Sequence, residues 1–209
     1  MISQRSGGAG LVVALLMLII MSMSALALVR VISIGILVAG NFAFRQAAVM
    51  AAEAGTEAAI VWLTGRALLP ALYTDQPDQG YYASLPDGLD IGGSAPAGAK
   101  VAIDWEKDQC NSRSDVVCVT ASPETTKDEA GQVIQYVIHR LCRSAGSPQD
   151  SANSCLLYRE GSQVSPKKGQ FSYGASSRFK ADSAVYYRIT TRVSGPRNTV
   201  VFIQTLIHF

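Results

Sequence analysis

The sequence predicts an α+β fold: one long N-terminal helix, its lower half apolar, packed on a C-terminal antiparallel sheet. Three observations predict it. From Leu11 to Leu69 there is no proline, and strong helix formers dominate. From Pro70 to Lys100 the chain is crowded with breakers: Pro70, Pro77, Gly80, Pro86, Gly88, Gly92, Gly93, Pro96 and Gly98. Beyond Lys100, short runs alternate apolar and polar residues, the pattern of half-buried strands.

The helix begins with LVVALLMLIIMSMSALALV, Leu11–Val29, whose only polar side chains are Ser22 and Ser24. At 1.5 Å per residue this run is about 29 Å long, close to the hydrocarbon thickness of a bilayer. The serine hydroxyls can bond back to carbonyls one turn earlier, so they cost little there. A helix in the core of a soluble protein would show a polar face, and this one shows none. A cleaved secretory signal is the competing reading, with Ser24-Ala25-Leu26-Ala27 as the small-residue site. Its apolar run is usually shorter, however, and here the run resumes after Arg30 as VISIGILVAG. Arg5 lies before the span and Arg30 and Arg45 after it, so flanking charge alone does not orient it.

The second half, Asn41–Leu69, continues the helix with Pro70 as its terminator and soft points at Gly35 and Gly40. A helix over 9–69 would be about 90 Å long. It carries Ala47, Ala48, Ala51, Ala52, Ala54, Gly55, Ala58 and Ala59. Small side chains let helix backbones approach closely. They serve both docking on the protein's own domain and packing against neighbouring subunits, on different faces.

All four cysteines, Cys110, Cys118, Cys142 and Cys155, follow the helix. They form no C-x-x-C pair and have no nearby histidine suited to zinc, so disulfides in an oxidising compartment are expected. Of three pairings, the local one, Cys110–Cys118 with Cys142–Cys155, closes two short loops and is favoured. It also orients the chain, with its C-terminal part outside the cytoplasm. Strands are expected over 101–105, 115–120, 133–142, 155–159, 184–193 and 198–207. Gly195-Pro196-Arg197 marks a hairpin between the last two.

Charged residues make up 16% of the 209 residues and the net charge is +2, with no dense basic patch for nucleic acid. Lys167-Lys168 reads as solvated surface. There is no G-x-S-x-G and no phosphate loop. His139 falls in an alternating strand and reads as a surface residue there, and His208 reads as frayed. Neither forms a hydrolase triad. Asp104, Glu106 and Asp108 alternate along a strand edge without completing a calcium loop. Trp62 and Trp105 read as core or helix–sheet contacts. No enzyme, cofactor or metal is expected.

Ala39-Gly40-Asn41-Phe42-Ala43-Phe44-Arg45-Gln46, followed by Ala51-Ala52-Glu53-Ala54-Gly55, resembles the N-terminal region of PilX-type pilus assembly proteins over roughly residues 5–63. Tyr136–Cys142, Tyr187–Thr190 and Gly195–Thr199 look, more loosely, like the later strands and final hairpin of that family. The resemblance implies a pilin-like fold divided into a leader (1–8), a long helix (9–69), a Pro/Gly-rich loop (70–100) and a disulfide-bearing β domain (101–209). It also implies removal of the leader by prepilin peptidase between Gly8 and Ala9, with Gly7 and Gly10 as alternative sites.

Pilins carry a glutamate at the fifth mature position. Here that position is Val13, as in the PilX-like and GspK-like subgroup. A carboxylate in lipid needs a partner, so a subunit without one needs no subunit above it, which suits a place at or near the tip. The implied function is a minor pilin that helps to prime or assemble type IV pili. Its implied partners are other minor and major pilins, the peptidase, the inner-membrane assembly platform and membrane lipid. It would reside in the bacterial inner membrane, with a periplasmic domain, and then in the fibre. The alternatives are a type II secretion pseudopilin and a signal-anchored periplasmic domain.

Overall fold

The computed structural model describes residues 7–66, 69–94, 100–108, 110, 114–125, 128, 130–158 and 184–209. Two compact units divide the chain, one up to Gln46 and one from Ala47 to Phe209. The leader residues 1–6, the Lys167-Lys168 pair and the end of the expected 155–159 strand lie outside the described residues.

Helix α1, Gly7–Thr64, runs through the predicted region without a break at Gly35 or Gly40. It stops short of Leu69. Gly65 N–H still reaches the Val61 carbonyl one full turn back at 3.2 Å, and the ladder tightens at Arg66, whose N–H bonds the Leu63 carbonyl three residues back at 3.0 Å. Glycine is a poor helix residue, so the stop comes there rather than at Pro70. The first unit consists of α1 turns alone among the described residues, and apart from Arg30 its large side chains from Leu11 to Val38 are exposed apolar groups.

Among its described residues, the stretch 70–100 carries more regular structure than a long loop. It contains 3-10 turns at Pro70–Tyr73 and Pro77–Gln79, and strands β1 (Tyr81–Tyr82) and β2 (Leu89–Asp90). Then come β3 (Val101–Asp104), β4 (Val117–Thr120), β5 (Val133–Arg140), β6 (Leu157–Tyr158), β7 (Ala184–Gly195) and β8 (Thr199–His208). In the main sheet β7 pairs antiparallel with β5, β6 and β8, as the alternating runs predict, while β1 lies parallel to β5. The expectation of a purely antiparallel sheet is corrected a second time by β2, β3 and β4, which form a separate, wholly parallel sheet. β4 runs parallel to β3 because the connection between them, which contains Cys110, returns the chain to the starting end of β3 instead of turning in a tight hairpin.

Within the second unit, α1 covers one face of the main sheet. Ala48 and Ala52 pack with Val193, Ile134, Val201 and Ile203. Ala59 and Leu63 join Leu72, Tyr81, Ile138, Tyr187 and Ile189. Leu63 is fully buried, a contribution of about 2–3 kcal/mol. The opposite face is covered too: Val137 of β5 packs with Ile103, Trp105, Val119 and Ala121 of the parallel layer. β5 is therefore a middle layer with cover on both sides.

His139 is corrected by this arrangement. It is fully buried, not a surface residue, because Tyr82 of the neighbouring β1 stacks on its ring with centroids 5.4 Å apart. The hairpin falls where Gly195-Pro196-Arg197 predicts it, but the left-handed residues are Arg197 (φ 57°) and Asn198 (φ 59°), not the glycine. Asparagine tolerates that conformation well. Gly80 (φ 66°) is needed in the cross-connection, since a side chain there would meet the Ser122 nitrogen at 2.6 Å and the Tyr136 oxygen at 2.7 Å.

Candidate assembly surfaces

The exposed part of α1 is built by composition. No side chain from Leu11 to Val29 is ionisable, and Ser22, Ser24 and Ser33 each bond the carbonyl four residues earlier at 2.8–2.9 Å. A helix that satisfies its own polar groups and shows apolar side chains all round suits lipid or other helices. From Gly10 the helix is long and apolar enough to cross a membrane. Val13 is 55% exposed within this surface. Gly8 and Ala9 lie in the first turns of α1, and their side chains are outside the described residues.

The small residues predicted to pack helices divide between two faces. Gly55 is buried against the sheet: a Cβ there would collide with Ile134 and come within 2.8 Å of the Thr191 side chain. Next to it, Thr56 bonds the Thr191 hydroxyl at 2.9 Å. Ala51 is half-buried at the margin, while Ala47, Ala54 and Ala58 are exposed, together with Met50 and Val61. Thus Gly55, with Ala48, Ala52 and Ala59, holds the helix to its own domain, and Ala47, Ala54 and Ala58 remain on the open flank.

Sequence reading missed two features of the domain. Arg140, at the end of β5, is almost wholly buried. Its Nε donates to the Ala83 carbonyl at 2.9 Å and its Nη2 to Gly146 at 2.6 Å and Ser144 at 3.5 Å, so it ties two stretches of loop to the sheet. An arginine at the end of a strand gives no such signal in sequence. The other is a polar clasp between the sheets. Arg192 of β7 pairs with Glu106 and reaches Gln135 at 3.4 Å, while Gln135 donates to the Trp105 carbonyl at 3.0 Å. The Trp105 indole donates to Ile91 at 2.7 Å.

Glu106 is therefore held by an arginine, and Asp104 accepts the Asp108 N–H at 3.0 Å. Among the described residues no three His, Cys, Asp or Glu gather as a metal site. Burial holds the Tyr81 and Tyr82 phenols above their usual range, and Tyr81 donates to the Leu72 carbonyl at 2.7 Å. Trp62 packs on Tyr81, with Arg66 over its ring at 4.5 Å.

The cysteines pair locally. Cys110 is bridged to Cys118, which lies in β4, and Cys142 to Cys155 just beyond β5. The second bridge closes a small ladder in which Arg143 N–H meets Ser154 at 2.9 Å and Leu156 N–H meets Leu141 at 2.8 Å. In comparisons with known proteins, no family model, no curated protein and no solved structure matches the chain.

Proposed function

We propose that the protein is a minor pilin-like subunit that takes part in priming or assembling type IV pili, at or near the tip. The observation that carries this reading is α1. One unbroken helix is free of ionisable side chains from Leu11 to Val29, and its last turns are docked through small residues onto a disulfide-bearing domain. A helix of that kind anchors the subunit in the inner membrane before assembly and packs among other helices afterwards. The disulfides suit a periplasmic position for the domain. Val13 in place of a glutamate leaves no buried carboxylate in need of a partner from a subunit above.

The test is the N-terminal sequence of the mature protein, made with and without a prepilin peptidase. The expected result is a peptidase-dependent cut near Gly8 that keeps the whole apolar helix. An uncut chain, or a cut near Ala27 that removes the helix, would overturn the proposal.

A further inference from the structure

The two bridges differ in what surrounds them. Cys110 is fully buried and clusters with Ala102 and Val116, a setting that disfavours a thiolate. Cys142 is buried as well, but its partner Cys155 is only half-buried. An open cleft of about 640 Å³, lined by Leu85, Pro86, Ser154 and Leu156, reaches Cys142 itself.

Arg140 stands two residues before Cys142, and an extended chain places such residues on one face. Both touch the stretch that follows β1: Arg140 Nε donates to the Ala83 carbonyl, and Leu85 N–H donates to the Cys142 carbonyl at 3.0 Å. The hydrogen bonds of the Arg140 guanidinium go to carbonyls, and no carboxylate pairs with it among the described residues. Its charge therefore reaches the cluster that holds Cys142. Burial raises the Tyr187 phenol of that cluster, and the Arg140 charge, next in size, draws it back down. The loop that the bond closes, 143–154, has no large apolar side chain, so it can give way without drawing a core residue out. Cys142 and Cys155 face one another between the Arg143–Ser154 and Leu156–Leu141 hydrogen bonds, a ladder that would keep the two thiols side by side for closure again.

We propose that Cys142–Cys155 is a thiol–disulfide exchange site, open to a dithiol oxidoreductase while the domain is folded, and that Cys110–Cys118 is not. The incoming thiolate attacks Cys155 Sγ. A bond forms between those two sulfurs, and the Cys142–Cys155 bond breaks with its electron pair going to Cys142. That thiolate is expelled beside the Arg140 charge, and a stabilised leaving thiolate departs faster. The second thiolate of the dithiol then attacks its own neighbouring sulfur and frees Cys155. Two electrons and two protons pass from the dithiol to the bridge, and the dithiol becomes a disulfide. The site lies wholly within the domain and is independent of how α1 is processed.

The full chain in detergent micelles, without denaturant, is exposed to dithiothreitol, and free thiols are alkylated at intervals and located by mass spectrometry. Cys142 and Cys155 are expected to open about tenfold or more faster than Cys110 and Cys118. With glutathione, a monothiol, the mixed disulfide is expected on Cys155. Arg140→Gln is expected to slow the opening about threefold or more, and Arg140→Lys, which keeps the charge, much less. Equal opening of the two bridges, Cys110–Cys118 opening first, or glutathione on Cys142 would overturn the proposal. So would an Arg140→Gln chain that keeps the parent's near-ultraviolet circular dichroism and opens at the parent's rate. If Arg140→Gln alters that spectrum, the order of opening and the position of glutathione in the parent decide.

Discussion

His139 is fully buried, and neither ring nitrogen has a hydrogen-bond partner among the described residues. Burial, and then the Arg188 guanidinium opposite it on β7, lower its pKa to about 3. The unfolded chain takes up a proton near pH 6.5, and the folded chain does not. The neutral ring therefore contributes stability that is complete above about pH 6.5 and is lost as the pH falls toward 3. The slope over that range reaches about 1.4 kcal/mol per pH unit. Urea midpoints at pH 7, 5 and 4 are expected to fall steeply for the parent chain and much less for His139→Leu. Parallel pH profiles for the two would show that His139 protonates freely in the fold. Sequence gave one warning of this burial, since Val137 shares the face of His139. The cover itself comes from Tyr82 of β1, paired parallel with β5 from more than fifty residues away, which local alternation does not reveal.

Among the elements, α1 was the most legible in extent and the least legible in facing. The outer side of this alanine-rich helix carries Gln46, Glu53 and Glu57, but the exposed Met50 and Val61 interrupt that polar stripe and blur the side it marks. The sheet decides which of its small residues go inward, through Ile134, Thr191 and Val193. Gly55→Val is expected to destabilise the domain by about 1–3 kcal/mol through overpacking, read as a shift of the urea midpoint. Ala58→Val, one turn on and exposed, is expected to stay within about 0.5 kcal/mol of the parent. Equal effects from the two would mean that the helix is not seated as described. The β7–β8 hairpin was legible to within a residue or two, because Gly195-Pro196 interrupts two apolar runs of similar length. β1 and β2 were not legible, because each has two residues and draws its pairing from distant strands.

At the scale of the molecule, the bridges compensate for a thin core shared between several small clusters. Replacing Cys142 and Cys155 together by serine is expected to cost about 2–3 kcal/mol on the chain-entropy account, with a matching fall in the urea midpoint. An unchanged midpoint would show that the Leu141–Leu156 ladder holds without the bond. The double-sided cover of β5 has a consequence for how the chain comes into being. Ile138 pairs forward with Ile189 and backward with Tyr81, so β5 can be enclosed only after β7 has been synthesised. Until then Ile134 and Ile138 lack their β7 partners Val193 and Ile189 in the nascent chain, and closure waits on a pairing distant in sequence rather than on local helix formation. A ribosome that stops before Ala184 thus releases a finished helix with β5 but without β7 and β8, which supply Val193, Val201 and Ile203 beneath Ala48 and Ala52.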